Sequence, residues 1–224
     1  MKYDSFQAKR FSTQVLTMNT KRLIIIAVGG QGNLLASRVL GEAALLADIP
    51  VHMSEIHGMA QRGGIVESSV VLGDAESTII SDGEADVLLG FEPSETLRAI
   101  NKCNSNSVVI TNLSPVPPYT AAIGKVVYPD LDKLQDLIRA KTECFVAFDA
   151  VKLAKEAGNV MCVNMVLIGS LIQTGILPLS TKNVKEAIAA RIKNIHLEAN
   201  LKAFDLGFCI AEKIIRAECF SFKK

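Results

Sequence analysis

Tryptophan is absent from this 224-residue chain, and aromatic residues make up only 5% of it. Surfaces that stack nucleic-acid bases are built from such rings, so that class of partner is not expected. Charge of one sign is missing too: 24 Lys and Arg stand against 23 Asp and Glu, for a net charge of +1. Such a balance lays down no field for a polyanion or an anionic membrane surface. No apolar run reaches the ~18 residues of a membrane-spanning helix. The five cysteines (Cys103, Cys144, Cys162, Cys209 and Cys219) form no C-x-x-C pair and have no histidine close by. Iron–sulfur clusters and structural zinc draw ligands from close pairs, so neither is expected here. An odd cysteine count without a signal-peptide pattern predicts reduced thiols in a cytoplasmic protein, used as small buried hydrophobes.

What is present is apolar residue in quantity, 49% of the chain, enough for a core and a buried subunit face. The polar start, "MKYDSFQAKRFSTQVLT", has no strong periodicity, and a second methionine, Met18, precedes the first apolar run. Residues 1–17 are therefore expected to be a flexible extension, and 18–224 a single domain. "LIIIAV" (23–28) predicts a strand covered on both faces. A helical pattern follows at 33–47, then strand patterns at 51–56, 65–73 and 86–91. Pro93 suits the first turn of a helix in "PSETLRAINKC". Further strands are predicted at 107–113, in "KVVYP" after the proline-rich loop 114–124, and at 144–150, with an amphipathic helix in "DLDKLQDLIRAK".

From about residue 151 the pattern is helical throughout, with Ser180 placed to cap one helix and Lys182, Lys185 and Glu186 turned to solvent. "NMVLIGSLIQTG" is apolar all round and is expected to be buried, in the domain or against another subunit. Strands alternating with helices, followed by helices, predict a three-layer α/β/α Rossmann-like sandwich with a mostly parallel, mixed sheet and a helical C-terminal section.

Two stretches carry chemistry. In Gly29, Gly30, Gln31 and Gly32 a strand breaks into a glycine turn and a helix begins. That geometry lets backbone approach a ligand and aims free amides at an anion. The dinucleotide fingerprint G-x-G-x-x-G can be laid on Gly30 and Gly32, but its third glycine falls on Leu35; Glu55 stands where a ribose-binding carboxylate would be. The second stretch, "SEIHGMAQRGG" (54–64), sits between two strand patterns yet is too polar and glycine-rich for a core. Glu55, His57, Gln61 and Arg62 are groups that bind phosphate or carboxylate, and Gly63 and Gly64 leave room for close approach. The plain alternative is a solvated loop with an Arg62–Glu55 ion pair.

"AVGGQGNLLASRVLGEAA", "SEIHGMAQRGG" with "SSVVLG" behind it, "DVLLGFEPSETLRA", "NMVLIGSL" and the late N-x-x-A-F-x-x-G of Asn200, Ala203, Phe204 and Gly207 together resemble the gamma-type domain of the 2-oxoacid:ferredoxin oxidoreductases. The closest likeness is to the beta subunit of the indolepyruvate enzymes, and it runs from Met18 to the last helix. One departure is Ala27, at the first glycine of the usual G-x-G-G-Q-G. The resemblance implies an accessory subunit of an enzyme that converts a 2-oxo acid to acyl-CoA and CO2 and reduces ferredoxin. It implies that thiamine diphosphate, magnesium and iron–sulfur clusters lie on a larger partner subunit, with coenzyme A as co-substrate. The chain agrees in lacking a GDG motif followed by paired asparagines. On this reading Arg62 meets an anionic group of substrate or coenzyme A, the glycine turn supplies backbone donors, and His57 and Glu55 orient their loop. No residue is named as catalytic acid, base or nucleophile. An NAD-dependent oxidoreductase using Gly30, Gly32 and Glu55, and a non-enzymatic interaction protein on the same fold, stay open as alternatives.

Overall fold

The computed structural model of the chain describes residues 19–58, 64–116 and 127–219. The expected extension 1–17 lies outside them. The first strand, β1 (Lys21–Val28), is followed by helix α1 (Asn33–Leu45), then β2 (Val51–His57), β3 (Ile65–Leu72) and β4 (Ala85–Gly90). Helix α2 (Pro93–Arg98) and a 3-10 turn lead to β5 (Cys103–Asn112), then α3 (Leu131–Arg139), β6 (Cys144–Phe148) and α4 (Ala150–Glu156). The chain closes with α5 (Val163–Gln173), α6 (Thr181–Arg191) and α7 (Asn194–Glu218).

The six strands form one sheet in the order β2-β3-β1-β4-β5-β6. Strands β1, β4, β5 and β6 run parallel, while β3 is antiparallel to both β1 and β2. This is the expected mixed α/β sandwich. The apolar run of β1 explains its central place: Leu23, Ile25 and Ala27 face a core shared with α1, α5, α6 and α7. Ile24 and Ile26 face the smaller layer, where Ala99, Ile138 of α3 and Phe145 pack. Burial of both faces supplies about 1.5–3 kcal/mol per large aliphatic side chain. Four helix starts are closed by their own side chains: Glu92, Asp130, Asp149 and, as expected, Ser180 each accept a backbone N–H.

Helix α5 is buried within this chain and not against another subunit, with every residue from Asn164 to Ile172 covered. Its cover is α7, and the two approach through glycines. A Cβ at Gly169 would sit 2.0 Å from the Phe204 carbonyl oxygen, and one at Gly207 would sit 1.9 Å from that of Val166. The Asn200–Gly207 pattern is therefore a helix-crossing motif as well as a family mark.

Three expectations are corrected. The pattern at "AINKC" does not continue a helix: α2 stops at Arg98, and Cys103 already pairs with Ala85 of β4. Side-chain bonds that compete with helix account for this, with Ser107 accepting from the Asn104 amide and Asn104 donating to Gly83 O. The strand in "KVVYP" is not formed where it is described, from Val127 onward. Both edges of β5 are already taken by β4 and β6, and Tyr128 is spent on a side-chain contact instead. The cysteines are not uniformly reduced either: Cys144 and Cys219 are joined, with Cα atoms 5.0 Å apart, because α7 returns across the sheet to the start of β6. Cys209 is exposed, and Cys103 and Cys162 are buried. Burial pushes the Cys103 thiol up to about 11, so it stays protonated and unreactive at neutral pH.

Replacing Gly207 with alanine forces α5 and α7 apart. Overpacking of this kind costs about 3 kcal/mol, equivalent to a fall in Tm of roughly 6–12 °C for a domain of this size. Thermal denaturation followed by circular dichroism reads it directly, and an unchanged Tm contradicts the close crossing.

Candidate functional site

The glycine turn forms because β1 must end and α1 begin within four residues. Gly30 (φ 97°) and Gly32 (φ 85°) hold left-handed conformations that other residues adopt at a cost of roughly 1–2 kcal/mol. Gln31 closes the turn: its Oε1 accepts the Val28 N–H at 2.8 Å, and its Nε2 donates to Phe91 O at 3.2 Å, tying the turn to the end of β4. Asn33 Nδ2 donates to Val66 O at 2.9 Å, fastening the first residue of α1 to β3. Ala27 is buried in β1, paired with Val66. The departure from the usual glycine thus falls inside the strand, before the turn.

Strand β3 brings the second stretch to the same place. Gly29 N–H donates to Gly64 O at 2.8 Å, and Gly58 N–H donates to Ile65 O at 2.8 Å. The base of the loop joining β2 to β3 is thereby fixed against the glycine turn. Gln61, Arg62 and Gly63 lie outside the described residues, as does the Arg62 end of the Arg62–Glu55 pair. Glu55 points toward α1, where Ser37 Oγ donates to it at 3.4 Å, and His57 Nε2 stands 3.6 Å from its other oxygen. Glu55 thereby joins β2 to α1.

This topology separates Glu55 from the turn. In a dinucleotide fold the second strand lies next to the first; here β3 intervenes. Glu55 is two strand spacings from β1, about 10 Å, with Ser37 and His57 as its partners. The carboxylate is not offered to a ribose held at Gly30 and Gly32.

An open crevice lies at the carboxyl ends of the parallel strands. Connections from β1 and β4 leave in opposite directions at this point, which is where α/β sheets place ligands. One cavity, about 420 Å³, runs from Gly30–Gly32 to Met161, the start of α5 and the junction of α6 with α7, where Arg191, Lys193, His196 and Asn200 line it. Asn164, buried at the start of α5, lies with its Nδ2 3.5 Å from Gly32 O. A second cavity, about 280 Å³, shares Gly30, Gln31 and Met161 with the first and is walled by Val116, Val151, Val160 and Val163.

Two buried polar side chains hold this second wall. Asn112, 1% exposed, donates to Phe91 O and Ser114 O and accepts from the amides of Ser114 and Ala150. Glu92, also 1% exposed, caps α2 and accepts from the Val116 amide at 3.4 Å and from the Tyr128 hydroxyl. Burial, and then the Glu92 carboxylate, push the Tyr128 phenol far above its usual value, so it remains a donor. Asp149 caps α4 and accepts from Ser114 Oγ. Burial pushes that carboxyl up, but the Ser114 bond and the Lys152 and Val151 amides outweigh it and hold it below the ordinary range.

Sequence reasoning found the glycine turn and the loop base. It missed Arg191, Lys193, His196, Asn164, Glu92 and Tyr128. For the first three, the break between two helical patterns at "RIKNIHL" was the available signal. Among the described residues no group of three His, Cys, Asp or Glu side chains gathers to hold a metal ion.

The fold coincides with that of known proteins. A model of the pyruvate ferredoxin/flavodoxin oxidoreductase family matches residues 22–210, and the chain belongs to that family. It is an accessory subunit of such an oxidoreductase. It is similar to indolepyruvate oxidoreductase subunit IorB of Pyrococcus horikoshii, 43% identical over 200 residues, which are 88% of this chain and 99% of the relative. In fold it is similar to the keto/oxoacid ferredoxin oxidoreductase gamma subunit of Geobacter sulfurreducens (TM-score 0.63, 23% identity, 86% of this chain and 99% of that one). It also overlays 2-oxoglutarate:ferredoxin oxidoreductase of Magnetococcus marinus, with TM-score 0.66 and 19% identity over 89% of this chain but 32% of that longer one.

The two turn glycines make a paired prediction. A Cβ at Gly30 meets nothing within 4 Å, whereas one at Gly32 comes 2.8 Å from Asn164 Nδ2. Gly30→Ala therefore costs only the backbone term of about 1–2 kcal/mol, and Gly32→Ala costs that plus displacement of Asn164. Denaturant midpoints rank them; equal losses contradict the Asn164 contact.

Proposed function

We propose that this chain completes, from one side, the active site of a cytoplasmic thiamine diphosphate-dependent oxidoreductase for an aryl-pyruvate such as indolepyruvate. The products are acyl-CoA, CO2 and reduced ferredoxin. The carrying observation is the Gly29–Gly64 hydrogen bond, which sets two glycine-bearing segments on one rim beside an open crevice. The likeness to a chain named for indolepyruvate supports the substrate class.

The residues here do not fit an iron–sulfur cluster: Cys144 and Cys219 are spent on each other, and Cys103, Cys162 and Cys209 lie on separate elements. On this reading the clusters, the thiamine diphosphate and its magnesium belong to a larger partner subunit, which also passes electrons to ferredoxin. Bound there, the thiamine supplies the carbanion chemistry of decarboxylation. This chain's part is position and electrostatics. In the turn Gly29 and Gln31 spend their amides on Gly64 O and Val28 O and hold Gly30 and Gly32 toward the ligand with their backbone donors, Arg62 offers a guanidinium to a carboxylate or phosphate, Gln61, Gly63 and Gly64 shape the loop, and His57 and Glu55 brace it.

Co-expression with a thiamine-binding partner is expected to yield a brown complex that reduces ferredoxin with indolepyruvate, dependent on coenzyme A, while the chain alone is inactive. Turnover by the purified single chain overturns the proposal. In the complex, Arg62→Ala is expected to preserve assembly and lower kcat/KM on the order of tenfold or more, the scale of a lost charge-assisted contact. Unchanged activity makes the loop a scaffold.

A further inference from the structure

Helix α1 turns a stripe of small and polar residues, Asn33, Ser37 and Gly41, toward β2 and β3. Asn33 Nδ2 donates to Val66 O at 2.9 Å. Ser37 Oγ stands 3.4 Å from Glu55 Oε1, and a Cβ on Gly41 would sit 2.8 Å from Met53 Sδ. Strand register sets the same levels: Val66, Ser68 and Val70 of β3 lie opposite His57, Glu55 and Met53 of β2. Ser68 also lies opposite Ile25, a member of the α1-side core. Residues directly opposite in an antiparallel pair share a face. Ser68 therefore sits between Ile25 and Glu55 on the level of Ser37.

Two polar atoms in this layer have no partner. Asn33 is 4% exposed and Ser68 0%, yet among the described residues nothing hydrogen-bonds Asn33 Oδ1 or Ser68 Oγ. Buried polar atoms left alone are costly. Turning the Asn33 amide over gives no relief, because its Nδ2 already donates to Val66 O and Ile25 O, and an oxygen there would face two carbonyls. The single Ser37 proton has a nearer acceptor in Leu34 O, at 3.1 Å, than in Glu55. Donated to Leu34, it leaves Ser37 lone pairs turned to a carboxylate.

We propose that this layer binds a monovalent cation, sodium or potassium, with Asn33 Oδ1, Ser37 Oγ, Ser68 Oγ and Glu55 Oε1 as its protein ligands. Oxygen-only donors suit a hard cation, and the one carboxylate balances one positive charge. Glu55, whose side chain is 29% exposed, opens the way in from the β2 edge. An ordered water is the competing occupant, since it can also meet the two lone atoms. The inference does not rest on the proposed function.

The test is thermal denaturation of the full chain in sodium, potassium and choline chloride at equal ionic strength, followed by circular dichroism. Sodium or potassium is expected to raise Tm over choline in a saturable way, by roughly 5–11 °C when the ion stands at about 100 times its Kd. Ser68→Ala removes a ligand and no hydrogen bond made within the described residues, so the fold is retained. It is expected to move the half-maximal rise to a salt concentration about tenfold higher or more, and Glu55→Gln to abolish the rise. Ser54→Ala, on the other face of β2, is the control and keeps the native response. Equal Tm in the three salts overturns the inference and leaves an ordered water as the occupant. A native-like salt response in Ser68→Ala places the ion elsewhere and overturns it too. Should Glu55→Gln fail to fold, Ser68→Ala decides alone.

Discussion

The arrangement depends on where β3 is inserted. Because β3 lies antiparallel between β1 and β2, its first residues arrive at the carboxyl edge of the sheet, beside the glycine turn. The Gly29 N–H to Gly64 O bond then fastens one to the other. Backbone amides left unpaired at such an edge are costly, and here each segment satisfies the other. The same insertion moves β2 and Glu55 away from β1. One topological choice thus brings the base of the loop, at Gly64, to the turn and moves Glu55 away from Gly30 and Gly32.

Behind the turn, polar side chains hold the crevice open with few atoms to spare. Gln31 and Asn112 both donate to Phe91 O, joining the ends of β1, β4 and β5. Glu92 gathers the Val116 amide, the Tyr128 hydroxyl and the start of α2. Asn112 and Glu92 are buried polar groups that need partners, and meeting that need fixes the wall. On the other side, the glycine crossing of α5 and α7 sets how close the α6–α7 junction comes to the turn.

Much of the fold was legible. Strand β1 announced itself by five consecutive buried apolar residues, Leu23–Ala27, and the helices from α4 onward by their period. The failures have physical causes. "AINKC" carries a helical pattern overridden by Asn104 and Ser107 bonding to backbone. "KVVYP" has strand-forming residues, but its described part, from Val127, joins no strand, and Tyr128 bonds to Glu92 instead. Cys144 and Cys219 are 75 residues apart, and no spacing rule pairs them. The site was half legible: glycines at a strand–helix junction are a local signal, whereas Arg191, Lys193 and His196 are ordinary surface residues until α6 and α7 are placed.

The sequence by itself determined the local elements, the glycine turn and the family likeness, because backbone freedom, apolar period and short motifs are properties of neighbours along the chain. Only the tertiary structure decided that β3 separates β2 from β1, that Gly64 meets Gly29, and that the starts of α1 and α7 open onto one cavity. Gly29 and Gly64 are 35 positions apart, and the residues that line the cavity come from both ends of the domain. Such contacts are set by sheet order and helix packing, which no local pattern encodes.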